Sequence, residues 1–170
     1  RESFCEGAGH WAEDMTADTY LVTGGAGFIG SNILARLAAD PAKRVVISDR
    51  LRHADDGKWL NIAKHPIFDI VAPENVVKWL RANVRSISGV IHMGAISATT
   101  ETDVDRIIEN NFHLSKALWD VCTAHQKPFI YASSAATYGD GAFGFDDDNA
   151  FEATLRLRPL NAYGFSKRLF

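Results

Sequence analysis

A run of small residues between two apolar segments constrains this chain more than any other feature. The run is Thr23-Gly24-Gly25-Ala26-Gly27-Phe28-Ile29-Gly30, and the strand-like residues 20–23 lead into it. The residues that follow place apolar side chains on one helical face, namely Ile29, Ile33, Leu34 and Leu37. Glycine allows the tight backbone turn needed to pass directly from a buried strand into a helix. We therefore expect the fold to begin with a strand, a glycine-rich turn and a helix that packs on the strand.

Short β-rich runs alternate with helical stretches along the rest of the chain. The runs that we interpret as strands are residues 20–23, 45–49, 67–69, 90–93 and 129–133. Each is short and apolar, as buried parallel strands are, and helices cover both faces of such a sheet. The sequence predicts an α/β fold with a Rossmann-like, doubly wound parallel sheet over residues 19–170. The chain length of 170 residues suits one such domain.

The longest predicted helix carries an interrupted apolar stripe. Its apolar positions, spaced by three and four residues, are Val104, Ile107, Ile108, Leu114, Leu118, Val121 and Cys122. Asn110 and Asn111 interrupt this stripe, and polar residues at such positions require a structural or functional reason.

The start of the chain differs from the rest. Residues 1–18 mix glycine, acids and single aromatics without periodicity. We expect a disordered leader over residues 1–18, with translation beginning naturally at Met15, a few residues before the first strand.

Charge and composition exclude several classes of function. The net charge is −3, and the chain lacks the clustered Lys and Arg with which proteins bind nucleic acid. No apolar run approaches the roughly 20 residues that span a bilayer, and no signal-peptide core is present, so we expect a cytoplasmic protein without membrane contact. Cys5 and Cys122 lie far apart and outside metal-ligand spacing, so neither a disulfide nor a metal site is expected.

The glycine-rich turn has the spacing of a dinucleotide-binding fingerprint. Gly24, Gly27 and Gly30 let the backbone approach a pyrophosphate, and the N-terminus of the following helix offers unpaired N–H groups. Asp49 ends the next predicted strand 19 residues after Gly30, close to where the fingerprint places an acid that binds a ribose hydroxyl. The sequence therefore predicts a dinucleotide cofactor.

The residues after Asp49 bear on which dinucleotide binds. An acid alone favours NAD, but Arg50, Arg52 and Lys58 follow closely and suit the 2′-phosphate of NADP. We predict NADP, with NAD and a purely solvated basic loop as the alternatives.

A second group of residues indicates chemistry. Tyr163 and Lys167 stand four residues apart and share one face if the segment is helical. A nearby ammonium stabilises a phenolate, so the pair suits an acid/base at neutral pH. Ser133 and Ser134 follow a predicted strand, and an open α/β sheet builds its site at the carboxyl ends of its strands.

The glycine-rich turn, the serine and the Tyr-x-x-x-Lys motif occur in the order typical of the extended short-chain dehydrogenase/reductases, also called the NAD-dependent epimerase/dehydratase family. The resemblance covers roughly residues 19–170. Within this superfamily the chain most resembles the ADP-L-glycero-D-manno-heptose 6-epimerase family, in the segments 23–31, 58–61, 94–101, 109–112, 131–139 and 159–167. The Thr-Thr-Glu run that ends at Glu101 is the most discriminating of them.

The resemblance implies roles for individual residues. Ser134 and Tyr163 would face the sugar, and Ser134, Tyr163 and Lys167 would form the catalytic set. The cofactor would be contacted by Phe28, Ile29, Asp49, Arg50, Lys58, Met93, Gly94, Ala95, Ile96, Ser97, Asn110 and Lys167. In this chain Arg50 replaces the family's usual Asn, and extra residues lie after Asp49 and after Gly139, which leaves the cofactor preference open.

The resemblance also implies a reaction. Bound NADP would remove a hydride from C6 of the heptose, forming a transient ketone, and return it to the opposite face. Members of the family continue beyond the position of Phe170 with a substrate domain and a second base. We therefore expect the 170-residue chain by itself to be inactive. We also expect the full-length protein to be a homo-oligomer. Other interpretations remain: a different nucleotide-sugar 4-epimerase or dehydratase, a non-catalytic NADP-binding protein, or an inactive fragment.

Two further groups are not assigned chemistry. The six histidines share no ligand spacing, although His92 stands at a strand end beside the predicted cofactor loop. The run Asp146-Asp147-Asp148 reads as a solvated loop rather than a metal site.

Overall fold

The computed structural model describes residues 17–98, 100–148 and 150–170. Its five strands are β1 (Asp18–Thr23), β2 (Lys43–Ser48), β3 (Asp69–Val71), β4 (Ile87–His92) and β5 (Phe129–Tyr131). They form one parallel sheet in the order β3-β2-β1-β4-β5. The order reverses direction between β1 and β4, and in such sheets ligands bind outside the carboxyl ends of the strands at that switch point.

Six α-helices connect or follow these strands. They are α1 (Phe28–Ala38), α2 (Val76–Asn83), α3 (Val104–Ile108), α4 (Leu114–Ala124), α5 (Phe151–Arg156) and α6 (Ala162–Leu169). A π-helical turn, Glu109–His113, joins α3 to α4 without a break. Short 3-10 turns lie at Ala54–Asp56, Lys58–Asn61, Pro73–Asn75, Val84–Ser86 and Ala135–Tyr138.

The core has two layers because successive side chains of a strand point to opposite faces of the sheet. Leu21 of β1 packs with α2 and α4 through Leu80 and Leu118. Its neighbour Val22 packs on the other face with Leu34 of α1. The doubly wound α/β fold predicted from the sequence is therefore confirmed.

Most predicted strands coincide with observed ones, but the third is displaced. Residues 67–69 were expected, whereas β3 begins at Asp69 and runs to Val71, paired with residues 46–48 of β2. The prediction ended the strand at the polar residue Asp69, whereas Asp69 is the first residue of β3. A polar residue is tolerated there because β3 is an edge strand with a neighbour on one side only.

Of the predicted leader, residues 1–18, the structure describes only residues 17 and 18. Residues 1–16, which include Cys5 and Met15, lie outside the described residues. Asp18, the last residue of the predicted leader, is the first residue of β1 and pairs with Lys43. Of the helices that the structure describes, none combines the length and apolar character required to cross a bilayer.

Candidate active site

The glycine-rich turn joins β1 to α1 in a conformation that requires glycine. Gly24 has φ +65°, and a Cβ built there would lie 2.8 Å from the backbone nitrogen of Gly94. A Cβ on Gly30 would lie 2.1 Å from the carbonyl oxygen of Gly24. Added side chains would therefore displace the turn, whose tight packing leaves the N-terminus of α1 directly beside the end of β1.

The N-terminus of α1 keeps its backbone donors free of side-chain caps. Gly27 precedes the helix, no side chain caps it, and the first turn carries no acid. The amide of Ser31 is the first to bond back to Gly27, at 2.9 Å. The N–H groups of Phe28 and Ile29 therefore point out of the first turn, an arrangement that suits a pyrophosphate.

Asp49, the first residue after β2, holds the glycine-rich turn from the side. Its Oδ2 accepts a hydrogen bond from the backbone N–H of Ala26 at 2.9 Å. Its Oδ1 accepts from the backbone N–H of Arg50 at 2.7 Å and from the Lys58 ammonium. Asn61 donates to the Ala26 carbonyl at 2.9 Å, so both polar groups of the Ala26 residue are fixed by the segment after β2.

A cleft of about 110 Å³ opens at the switch point between β1 and β4. Among the described residues that line it, four are cations and one is an acid, Asp49, which is already paired with Lys58. The cations are Arg50, Arg52, Lys58 and Arg106. Two of these cations have acidic partners outside the cleft wall, Arg50 with Glu74 at 3.5 Å and Arg106 with Glu101 at 3.2 Å. Cations still outnumber acids in the wall itself, which favours an anionic ligand.

A second cavity of about 630 Å³ continues from this cleft. The residues shared by the two include Arg50, Ile96, Arg106 and Asn110. Its walls combine apolar side chains, such as Val77 and Leu114, with charged ones. This pairing of an apolar pocket with a cationic cleft suits a flat base joined to phosphates.

A chain of buried hydrogen bonds ties β1, β4 and α4 together beneath the cleft. Thr23 Oγ1 lies 2.5 Å from His92 Nδ1, and His92 Nε2 lies 2.8 Å from Ser115 Oγ. Ser115 donates its single hydroxyl proton to the Asn111 carbonyl at 2.6 Å, so it must accept from His92 Nε2–H. Thr23 accepts from the Gly94 N–H at 3.0 Å and donates to His92 Nδ1. Burial, followed by the charge of Lys167, lowers the pKa of His92 to about 3, so the imidazole is neutral.

Asn111 connects the loop after β4 to α6. It is fully buried in the π-helical turn, where its Oδ1 accepts from the Ile96 N–H at 2.8 Å. Its amide donates to the Ile96 carbonyl and to Ser166 Oγ, both at 3.0 Å. Asn110 instead lines the cleft and donates to Asn111 at 3.0 Å. The two amides that interrupt the apolar stripe therefore differ, one being structural and the other facing the ligand cleft.

The predicted catalytic set lies at the carboxyl end of β5. Asn161 caps α6 by accepting from the Gly164 N–H at 2.8 Å, which fixes the helix that carries Tyr163 and Lys167. Lys167 Nζ donates to the Ala132 carbonyl at 2.8 Å and lies 6.0 Å from the centre of the Tyr163 ring. The ammonium therefore lies over the Tyr163 ring, and burial lowers the pKa of Lys167 to about 8.

The two serines after β5 differ in their surroundings. Ser134 caps the turn Ala135–Tyr138, accepting from the Ala136 N–H at 3.2 Å and keeping its own proton to donate. Ser133 is exposed and lines a cavity of about 460 Å³ together with Lys167, Thr137 and Tyr138. Ser133 forms part of the cavity wall, and Ser134 is its neighbour in the sequence.

The predicted cofactor residues fall into four groups. Those that line the cationic cleft are Gly24, Asp49, Arg50, Lys58, Gly94, Ala95, Ile96 and Asn110. Gly27, Phe28, Ile29 and Gly30 form the turn and the start of α1, where Phe28 and Ile29 are exposed. Met93 and Ser97 flank the cleft-lining loop after β4, while Lys167 lies in the separate 460 Å³ cavity.

Several site residues were not anticipated from the sequence. Thr23, Ser115 and Ser166 are buried polar residues at positions that pattern analysis assigns to the core. His92 was considered only as a pocket-lining residue. Two sequence patterns could have indicated such residues. One is a polar side chain at the last position of a buried strand, and the other is a polar side chain inside an apolar helical stripe, as at Asn111.

Metal and thiol chemistry have little structural basis in the described part of the chain. No group of three or more His, Cys, Asp or Glu residues within residues 17–98, 100–148 and 150–170 is arranged to hold a metal ion. Burial raises the pKa of the Cys122 thiol to about 11, which keeps it protonated.

Comparison with known proteins identifies similar sequences. The model of the NAD dependent epimerase/dehydratase family matches residues 20–170. ADP-L-glycero-D-manno-heptose-6-epimerase of Fusobacterium nucleatum is 48% identical over 152 residues, covering 88% of this chain and 45% of the relative. The enzyme of the same name from Nitratidesulfovibrio vulgaris is 44% identical over 153 residues, covering 89% and 46%. The chain thus spans about half the length of the curated relatives it matches.

Solved structures of nucleotide-sugar epimerases are also similar to this chain. ADP-L-glycero-D-manno-heptose-6-epimerase of Helicobacter pylori superposes with a TM-score of 0.69 at 25% identity, covering 93% of this chain and 50% of that one. UDP-glucuronic acid 4-epimerase of Bacillus cereus, solved in complex with NAD, gives 0.69 at 25% identity, covering 89% and 49%.

Proposed function

We propose that this chain, which belongs to the NAD dependent epimerase/dehydratase family, forms the cofactor-binding part of an ADP-L-glycero-D-manno-heptose 6-epimerase. One observation carries the proposal: the cationic cleft beside the glycine-rich turn and the Tyr163–Lys167 pair stand on the same carboxyl edge of the sheet, linked through Asn111. Relatives of that name at 44–48% identity support the heptose as substrate. Because the chain spans about half of their length, the activity is proposed for the full-length protein.

The cleft fits a dinucleotide cofactor. The contact between Gly24 and Gly94 leaves no room for a Cβ, and α1 presents uncapped N–H groups beside it. The residues that we assign to the pyrophosphate are Gly27, Phe28 and Ile29. When bound, the nicotinamide supplies hydride removal and return at C6 of the sugar, which inverts that centre without net oxidation.

We propose NADP as the preferred cofactor. The Asp49 carboxylate, which would otherwise accept hydrogen bonds from ribose hydroxyls, is occupied by Ala26 and Lys58. Arg50 and Lys58 supply positive charge at the same place, which suits a 2′-phosphate. NAD remains the alternative, since the solved 4-epimerase of Bacillus cereus is an NAD complex.

The acid/base roles follow from the groups at the end of β5. Tyr163 exchanges a proton with the reacting sugar oxygen, and the Lys167 ammonium favours its phenolate through proximity. Ser134 donates a hydrogen bond to the same oxygen with the proton that its capping role leaves free. Ser133, which lines the cavity, is the alternative hydroxyl.

The proposal is tested by incubating the full-length protein with ADP-D-glycero-D-manno-heptose and following C6 by NMR. Appearance of the L-glycero epimer supports it. Inversion at C4 of UDP-glucose, with the heptose left unchanged, would instead assign the chain to a 4-epimerase. Binding of NADP without turnover of either sugar would identify a cofactor-binding protein that lacks the proposed activity.

A further inference from the structure

The ammonium of Lys167 is buried with few compensating partners. The residue is 4% exposed, and Nζ donates one hydrogen bond, to the Ala132 carbonyl at 2.8 Å. In the part of the chain that the structure describes, no carboxylate forms an ion pair with it. A buried cation without an acidic partner needs another source of electrostatic stabilisation.

The ring of Tyr131 lies beside this ammonium. Nζ is 4.4 Å from the centre of the Tyr131 ring and 6.0 Å from the centre of the Tyr163 ring. An aromatic ring attracts a cation placed over its face within about 6 Å, and more strongly where water is excluded. Tyr131 is therefore the nearer of two aromatic faces that the ammonium contacts.

The surroundings of Tyr131 fix the ring in this position. Tyr131 is the last residue of β5 and pairs in register with His92 of β4. Its ring centre lies 5.9 Å from that of His92 at an interplanar angle of 27°, and 4.3 Å from that of Phe170. The strand and these two neighbours hold the ring at the wall of the 460 Å³ cavity.

The phenol oxygen of Tyr131 does not explain the presence of this residue. The oxygen is buried and makes no hydrogen bond among the described residues. Burial, followed by the charge of Tyr163, raises the pKa of Tyr131, so the phenol stays neutral. Tyr131 therefore interacts with Lys167 through the face of its ring.

We propose that Tyr131 is a positioning residue whose ring holds the Lys167 ammonium in its charged form beside Tyr163. The inference rests on the proposed function, because the ammonium matters there through its effect on the Tyr163 phenol. Without the ring, the same burial would favour the neutral amine, which stabilises a phenolate much less.

Other charged or titratable groups face the same cavity. The cavity wall carries Asp146, Asp148, Arg156 and Arg168. His92, which contacts the Tyr131 ring outside that wall, is neutral. A change confined to the electron density of the Tyr131 ring leaves these groups in place, so its effect on Lys167 reports the ring alone.

The test replaces Tyr131 in the full-length protein with phenylalanine, 4-fluorophenylalanine and 3,4,5-trifluorophenylalanine. Fluorine withdraws electron density from the ring while its shape changes little. Removing the phenol oxygen should leave the fold intact because that oxygen has no partner. The pKa of Lys167 is read by NMR of ¹³C-labelled lysine, with the resonance assigned by its loss in Lys167→Gln.

The expected result is a stepwise fall of the Lys167 pKa along the series, by about one pH unit from phenylalanine to trifluorophenylalanine, or about tenfold in proton affinity. Equal pKa values across the series would overturn the proposal. Tyr138→Phe, in the same cavity but without a ring contact to Lys167, should leave that pKa unchanged.

The measurement needs no substrate, so its outcome is independent of the proposed reaction. A stepwise fall in a protein that leaves the heptose unchanged would retain the role of Tyr131 and reject the activity. A flat series in a protein that inverts C6 would reject only the role of Tyr131.

Discussion

Lys58 donates a hydrogen bond to the carboxylate of Asp49, so the acid expected to bind a cofactor ribose is already paired with a cation. The other oxygen of Asp49 holds the N–H of Ala26 in the glycine-rich turn. Asp49 therefore acts as an anchor of that turn, and in the proposed function the basic residues around it set the cofactor preference.

Lys58→Gln should lower the affinity for NADP by about tenfold to a hundredfold, the range expected for loss of one hydrogen bond to a charged group. Affinity for NAD should stay the same or rise, because Asp49 Oδ1 loses the bond from Lys58 and can accept one from a ribose hydroxyl instead. Fluorescence titration with the two cofactors measures both. Lys64→Gln, at an exposed position outside the cleft, should change neither. Equal losses for NAD and NADP would remove Lys58 from 2′-phosphate recognition.

Tyr163→Phe in the full-length protein should lower kcat for C6 inversion by about a hundredfold or more, the usual contribution of an acid/base group. NADP affinity should stay nearly intact, since Tyr163 lies outside the residues that line the cationic cleft. The comparison variant is Tyr20→Phe in β1, which should retain full turnover. Retained turnover in Tyr163→Phe would exclude the phenol from the chemistry.

Gly24→Ala tests whether position 24 requires glycine because of its close approach to Gly94 as well as because of its positive φ angle. Gly24 and Gly57 have nearly equal φ angles, +65° and +66°, but a Cβ at Gly57 meets only Leu60 at 3.7 Å. Gly57→Ala should therefore cost about 1–2 kcal/mol of stability, the strain of a left-handed residue. Gly24→Ala should cost more in urea denaturation and abolish NADP binding, because its Cβ collides with Gly94. Equal costs at the two positions would contradict the close packing described here.

His92 makes stability depend on pH. Its pKa is about 3 in the folded protein, whereas an unfolded histidine titrates near 6.5. The unfolded state therefore gains a proton first as the pH falls, and stability that is present above pH 6.5 is lost progressively towards pH 3.

By pH 5 this loss should reach about 2 kcal/mol in the free energy of unfolding. It is measured by urea denaturation at several pH values. His92→Gln should flatten the dependence between pH 6.5 and 5, while His125→Gln, at an exposed position, should not. Identical slopes in wild type and His92→Gln would show that the buried imidazole does not resist protonation.

The parts of the fold set by local pattern were predictable from the sequence. The glycine-rich turn and the position of Asp49 directly after β2 each follow from residues close together in the chain, and the structure has the turn between β1 and α1 and Asp49 beside it. The third strand was misplaced because the prediction ended it at the polar residue Asp69, whereas Asp69 begins the edge strand β3 and the apolar pair Ile70-Val71 completes it.

The buried polar network was not predictable in the same way. The network links residues of different elements: His92 of β4 bonds to Ser115 of α4, and Ser115 bonds to Asn111 of the π-helical turn. Asn111 also bonds to Ser166 of α6. The sequence indicated that amides in an apolar stripe needed partners, but only the packing of α3, α4 and α6 defines which groups those partners are.

In the proposed reaction, hydride leaves and returns to the same carbon within one site that combines the cationic cleft with Tyr163. This reaction is tested most directly by giving the full-length protein ADP-D-glycero-D-manno-heptose labelled with deuterium at C6. We expect the L-glycero epimer with the deuterium retained at C6, because a hydride held by the cofactor would not exchange with water. Inversion with loss of the label to solvent, or no inversion at C6, would contradict it.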